Sequence, residues 1–412
     1  MSEWKEVKLG DVCDVITKGT TPSNIGDSFV DEGIKFIRSE MLGRDKYINN
    51  SGFLFISEET HQRLRRSQLK EKDILFSMAG VYLGKTAILR KEDVPSNTNQ
   101  AVAIIRVNGT KADVEYIYYC LNHPHIVKTV NASCAQSAQP NINLKQIGEI
   151  SFLTPPLGIQ QRIASILSSL DDKIAVNKKI CENLEAQAQA MFKHWFVDFA
   201  PFKDGKFVES ELGLIPEGWR VGTLGEICTT NKRTLSSKNI PDVIEYLDTG
   251  NITANRIDNI QLLYKGQDKI PSRAKRLVSE GDIIYSTVRP NQRHYGILPN
   301  PSDSLVVSTG FVVITANWSA YRYFIYNFLI QNAVVETLQA IGEQSVSTYP
   351  SINASDIESL RVIIPKMEDV DKFAEICCNI YCDIDNLEKE SIRLATLRDT
   401  LLPKLMSGQI KV

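Results

Sequence analysis

The chain lacks any apolar run approaching the roughly 18 residues that a membrane span needs. Its start, MSEWKEVKLGDV, is polar and charged, unlike a signal peptide. A charge excess of one sign is also missing: 47 Lys and Arg stand against 49 Asp and Glu, a net charge of −2. No segment is a basic domain, so any DNA binding must rest on local positive charge or on charge supplied by a partner. The eight cysteines form no CxxC pair and the five histidines are not grouped near them, which argues against a zinc site. Free thiols in a reducing cytoplasm are the expectation. What is present is the composition of a folded protein, 43% hydrophobic and 23% charged, in 412 residues, a length that predicts two or three domains.

The chain is a sequence repeated once, with a period of about 210 residues. WKEVKLGDVC from Trp4 returns as WRVGTLGEIC from Trp219, both reading Trp, four residues, Leu-Gly-acid-aliphatic-Cys. EKDILFS from Glu71 returns as EGDIIYS from Glu280, and QPNINLKQI from Gln139 as YPSINASDI from Tyr349. Pro155 and Pro365 close the series. Four matches in one order predict a pseudo-two-fold molecule presenting two related surfaces.

Each repeat ends in a segment of different texture. From Ile159 to about Phe199 the chain has neither Gly nor Pro, and Ile163, Ile166, Leu170, Ile174, Cys181, Leu184, Ala188, Met191 and Trp195 recur in steps of three and four. Asn177 falls on the same seam, where a buried amide fixes register. The second copy, about Glu368–Leu402, carries Phe373, Ile376, Ile380, Ile384, Leu387, Leu394 and Leu401, with Pro403 expected to end or kink it and Gly408 to close it. Helices of roughly 50–60 Å with so narrow a stripe are expected to pair with each other, antiparallel across the two-fold, rather than to bury against their own domains. Between them lie short β-type runs and helices near Val114–Leu121 and Tyr321–Leu338. The expected fold is therefore mixed α/β (α+β): two pseudo-two-fold-related globules, 1–154 and 215–362, separated by a long antiparallel helix pair built from 155–200 and 363–412, with a linker at 201–214.

Taken together, the order globule, long helix, globule, long helix, with W-x4-LG[DE], KGTTPS at Lys18–Ser23, the DIL/DII-plus-Ser strand and PP-x3-QQRIASILSSLDDKI from Pro155, resembles the specificity subunit of type I restriction–modification systems over essentially the whole chain. The second copy departs from the first where LGIQQRIASIL becomes KMEDVDKFAEIC. The resemblance implies a non-catalytic subunit whose two target-recognition domains each read half of a split double-stranded DNA target. The helices would act as a ruler and as docking surface for two modification subunits, with two restriction subunits added. S-adenosylmethionine would belong to the modification subunits and ATP and Mg to the restriction subunits, so this chain would hold no cofactor and no metal. The rival is a coiled-coil scaffold or antirestriction-like adaptor that binds modification subunits without reading DNA.

Two stretches come close to catalytic motifs. AGVYLGKT, Ala79–Thr86, is one glycine short of a P-loop, and the residues after it read as a strand rather than the helix a P-loop needs. Thr154-Pro155-Pro156-Leu157 resembles the [DNS]PP[YF] loop of adenine methyltransferases but lacks its amide or carboxylate and its aromatic, and it sits at a helix start. No catalytic dyad or triad is evident.

Candidate DNA contacts come from local clusters. Arg63, Arg65, Arg66 and Lys70 precede the DIL strand, and Arg273, Lys275 and Arg276 the DII strand; their expected role is phosphate positioning. Arg289–Tyr295, RPNQRHY, sets Arg289, Asn291, Gln292, Arg293 and His294 on one loop, the residue types that read guanine and adenine by paired hydrogen bonds. Its counterpart is the Gly80–Lys85 loop with Tyr82 and Lys85. Lys18, Thr20, Thr21 and Ser23 on one side and Lys232 and Arg233 on the other are further loop candidates.

Overall fold

The computed structural model describes residues 4–43, 45–49, 52–134, 141–236, 240–344 and 349–412; Gln139 and Pro140 of the QPNINLKQI motif lie outside them. The chain divides into two compact units, Met1–Asn177 with Glu390–Val412, and Lys178–Lys389. Both borders fall inside the long helices, Leu157–Phe192 and Met367–Met406.

In the first unit the DIL segment is a strand, Ile74–Ser77, in a four-stranded antiparallel sheet ordered Cys13–Lys18, Val102–Val107, Ile74–Ser77, Thr86–Ile88. Continuous apolar runs form these strands because both faces are covered. Ile74, Phe76 and Ile105 face a core that includes Tyr116 and Leu121 of the Val114–Leu121 helix, while Leu75 and Ile104 face another with Ile37 and Met41. A second sheet runs Leu54–Ile56, Ile34–Ile37, Ser96–Thr98, its last pair parallel.

The second unit repeats this order: Cys228–Thr230, Phe311–Ala316, Asp282–Ser286, Tyr295–Leu298, and then Gln261–Tyr264, Val243–Leu247, Leu305–Ser308, with Val243–Leu247 and Leu305–Ser308 again parallel. It adds an edge strand, Ala274–Leu277, and a hairpin of Ile252–Thr253 with Arg256–Ile257. The expected second-repeat helix is two, Tyr321–Leu329 and Asn332–Glu343.

The repeated motifs do repeated structural work. Asp73 and Asp282 accept the N–H of Lys70 and Ser279, at 2.8 and 2.7 Å, and close the turn before their strands. Asn143 and Asn353 each cap a short helix with a reciprocal capping box. The Ile142 and Ile352 N–H groups donate to the Met78 and Thr287 carbonyls, docking the returning chain behind the strand end. Trp4 lies against Gly408, past the second long helix, whereas Trp219 packs on Phe196, Phe199 and Phe202, past the first, and donates to Asp369 Oδ2 at 3.0 Å.

The long helices run antiparallel within each unit. In the first, Asp171 pairs with Arg398 and Lys173 with Glu390; in the second, the Phe192 and Phe373 rings meet at 6.1 Å and the Cys181 thiol lies 3.9 Å from the Ile384 carbonyl. The seam differs from the heptad reading. Ile166 and Ile376 are 38% and 40% exposed, while Ile163, Ala164 and Leu167 are buried in the first unit's core. The buried stripe in the starting half of each helix thus faces that helix's own domain, and Leu170, Ile174, Leu184, Met191, Ile380, Leu387, Leu394 and Leu401 are only half-buried. Ile384 is buried, and so is Asn177, which donates to Glu390 at 2.7 Å. The second helix does not end at Pro403 but continues to Met406.

Candidate DNA interface

Strand order decides which loops meet. In the first unit Lys18 pairs with Ala103, Val102 with Ser77, and Phe76 with Thr86, so the loops at 19–21, 78–85 and 98–101 gather at one end of the sheet. Ile37 pairs with Thr98 and brings the turn Ser39–Met41 to the same end. Backbone bonds tie them together: Gly19 N–H to the Val102 carbonyl, Thr20 N–H to that of Thr98, and Met78 N–H to that of Ala101. Gly19 must be glycine, because a Cβ there would stand 2.0 Å from the Thr98 carbonyl oxygen.

This end collects Lys18, Thr20, Thr21, Tyr82 and Lys85. The Lys85 ammonium lies over the Tyr82 ring at 4.8 Å, and Thr21 bonds Gln100. Arg66 joins through a 3.3 Å bond to Thr20 Oγ1. Arg63 is instead engaged within the fold, pairing with Asp27 and donating to the Ile25 carbonyl at 2.9 Å. The sequence reading passed over Arg38, Glu40, Asn99 and Gln100, which the two sheets bring here. The only available signal was polarity directly after a β-type run.

The second unit gathers the matching loops: 231–235, 287–294, 308–310 and the turn Thr249–Asn251. Asn291, Gln292 and Arg293 are exposed, with Arg293 donating to Asn332 Oδ1 at 2.7 Å. Arg289 is half-buried over the Tyr349 ring at 4.5 Å, and His294 Nδ1 lies 2.5 Å from the Ile252 carbonyl oxygen, so both are partly committed to the fold. Lys232 and Arg273 are exposed, while Arg233 donates to the Val278 carbonyl. Arg276 is half-buried, and among the described residues its Nε has no hydrogen-bond partner, an unmet donor of the kind a phosphate oxygen would satisfy. The two basic clusters sit on different structures: Arg63 ends a helix, whereas Arg276 lies on the added edge strand.

The stretch AGVYLGKT runs into a strand, Thr86–Ile88, antiparallel to Ile74–Ser77, and so lacks the helix that a phosphate-binding loop opens. Pro155 and Pro156 lead into the first long helix. Among the described residues no group of three or more His, Cys, Asp or Glu could hold a metal, and no helix is long and apolar enough to cross a membrane.

The chain belongs to the family described as the type I restriction modification DNA specificity domain, which matches residues 1–186 and again 216–394. The type I restriction enzyme MjaIX specificity subunit of Methanocaldococcus jannaschii is 28% identical over 100% of this chain and 94% of its own length. The HindI specificity subunit of Haemophilus influenzae is 30% identical over 38% of this chain and 34% of its own. Among solved structures, the S subunit of a type I restriction–modification system from M. genitalium shares the fold, with a TM-score of 0.52 at 16% identity, over 98% of this chain and 96% of that one.

Proposed function

We propose that this chain is the non-catalytic subunit that reads a bipartite DNA target for a type I restriction–modification complex in the cytoplasm, each strand-end edge reading one half. One observation carries this reading. Two units of one strand order hold their shared motifs in turns, caps and cores, and place dissimilar loops, 78–85 and 287–294, at the same end of the same sheet. A matched scaffold with unmatched loops is what two half-sites of different sequence require. The long helices, each running from one unit into the other, set the unread gap and offer docking surface to two modification subunits; two restriction subunits complete the complex. S-adenosylmethionine, ATP and Mg belong to those partners.

Methylation mapping in cells carrying the chain and its partner subunits tests the assignment. Gln292→Ala with Arg293→Ala should relax or change one half of the methylated motif and leave the other half and the gap intact; Tyr82→Ala with Lys85→Ala should do the converse. A lost bidentate contact costs about 1–3 kcal/mol of discrimination, roughly 5- to 150-fold. A motif unaltered by both pairs would favour the scaffold that binds modification subunits without reading DNA.

A further inference from the structure

The loop Arg289–His294 is a single turn, closed by the Gln292 and Arg293 N–H groups on the Arg289 and Pro290 carbonyls, and is held from outside as well. Arg289 and Arg293 both have left-handed backbones, φ 49° and 57°, which an L residue keeps only when its surroundings impose them. The Arg289 N–H is held by the Pro350 carbonyl at 2.9 Å, and Arg293 is held by the Ile252–Ile257 hairpin. Its turn residues Ala254 and Asn255 are also left-handed, φ 45° and 68°, the geometry of a two-residue hairpin turn. From this turn the Ala254 N–H donates to the Arg293 carbonyl at 2.7 Å and the Asn255 N–H to the Tyr295 carbonyl at 2.8 Å. Asn255 Oδ1 accepts the Ile297 N–H at 2.9 Å, and His294 Nδ1 meets the Ile252 carbonyl oxygen. Gly296 allows this approach, since a Cβ there would stand 2.7 Å from Ile252 and 2.9 Å from Asn255.

Behind Asn255 stands a carboxylate of the first long helix. Glu185 Oε1 accepts from the Tyr326 hydroxyl at 2.9 Å, and Oε2 from Asn255 Nδ2 at 3.5 Å. The buried Tyr326 ring then meets Tyr295 edge-on at 6.3 Å, and Tyr295 stacks on Tyr285 at 5.5 Å. Two routes, one polar through Asn255 and one aromatic through Tyr326, therefore leave Glu185 and meet at Tyr295. Burial raises the carboxyl to about 7, and the bonds from Tyr326 and Asn255 counter that rise. A group kept in so unfavourable a place, where Leu or Met would pack, calls for a role beyond packing.

We propose that Glu185 is a positioning residue for half-site reading: through Asn255 and Tyr326 it fixes the left-handed backbone that presents Arg293 and Gln292. This rests on the reading that the loop contacts DNA. In the first unit the corresponding link is ionic and ends elsewhere: the Lys46 carbonyl accepts the Ile88 N–H at 2.8 Å, and its buried ammonium donates to Asp172 of the first long helix at 3.1 Å. There the buried Asp171 accepts from Tyr119 at 2.5 Å but is neutralised by Arg398, and the Gly80–Lys85 loop obtains its left-handed residues from Gly80 and Gly84. Glu185 itself thus acts on the loop of its own unit, and so on one half of the target.

Two measurements test it. The first is hydrogen exchange on the full chain without DNA or partners. Glu185→Ala should speed exchange of the Ile297 and Ala254 amides at least tenfold, while Glu185→Gln, which keeps an acceptor for Tyr326, should leave them within about threefold. Unchanged exchange in Glu185→Ala, or acceleration spread equally over the first unit, overturns the proposal. The second is methylation mapping with the partner subunits. Glu185→Ala should degrade only the half of the motif that Gln292→Ala with Arg293→Ala degrades, with Glu185→Gln restoring it. If the loop variants alter one half and Glu185→Ala does not, the positioning role fails and the loop reading stands. If neither alters the motif, both fail.

Discussion

The two units share a strand order and the same turn, cap and docking motifs, yet hold their long helices by opposite electrostatic means. In the first, a buried acid meets a cation: Asp171, 3% exposed, pairs with Arg398, 16% exposed, and accepts from Tyr119. In the second, Glu185 and Glu388 are half-buried acids, Glu185 bonded by the neutral donors Tyr326 and Asn255 and Glu388 opposed by the charge of Arg256, and burial raises them to about 7 and about 8. Duplication preserved the backbone, whose requirements are local and repeated. The helix faces were free to diverge because each is satisfied by residues far away in the chain.

The sharpest way to break the comparison is to remove the cation. Arg398→Ala leaves Asp171 buried and unpaired, and unfolding of the full chain by denaturant should show a loss of about 3–5 kcal/mol. Arg398→Met with Asp171→Leu should recover most of it. A loss below about 1 kcal/mol would mean that the pair is not what anchors the C-terminal helix in this unit.

The second unit should respond to pH instead. Glu185 and Glu388 have folded-state values above their unfolded ones, so their favourable contribution is complete below about pH 4.5 and is lost as pH rises through about 7 and about 8. The groups facing them are Arg256, Asp258, Asp385, Cys181, Tyr326 and Tyr381, of which only Arg256 opposes the rise as a cation. Glu185→Gln should therefore stabilise the chain at pH 8.5, by up to about 2–3 kcal/mol, and do nothing at pH 4.5. Equal effects at both pH values would assign the change to packing.

The smallest expected effect is one the units share. Asn143→Ala and Asn353→Ala each remove an N-cap and should each cost about 1 kcal/mol. Costs that differ several-fold would show that the capped turns carry unequal loads despite equal geometry.

Legibility in the sequence falls along the same division. The repeat announced two units of one topology, and the Val114–Leu121 helix and the long helices fell close to where periodicity put them, because cap, turn and period are written within a few residues. The helix seam was misread for a physical reason. Ile166 and Ile376 fit a heptad, but Asp171 and Ser168 are buried by Tyr119 and Glu115, partners 52 and 53 residues away. At the candidate interface, the Arg289–His294 loop was visible as a cluster of base-reading residue types. That Arg63 is engaged by Asp27, that His294 is held by Ile252, and that Arg38 and Gln100 join the same edge are consequences of strand pairing that no local pattern carries.

Closure of the first unit by Glu390–Val412 has a consequence for synthesis. Leu402, Leu405 and Met406 belong to its core, and Arg398 to its buried pair, yet they leave the ribosome about 220–230 residues after Asn177. At ~5–20 residues per second that is a wait of roughly 10–45 s. Lys178–Lys389 is continuous and can complete itself in the interval. The part made first is thus finished last, and through that interval Leu167 and its neighbours stand uncovered, the stage at which a nascent chain most needs a chaperone.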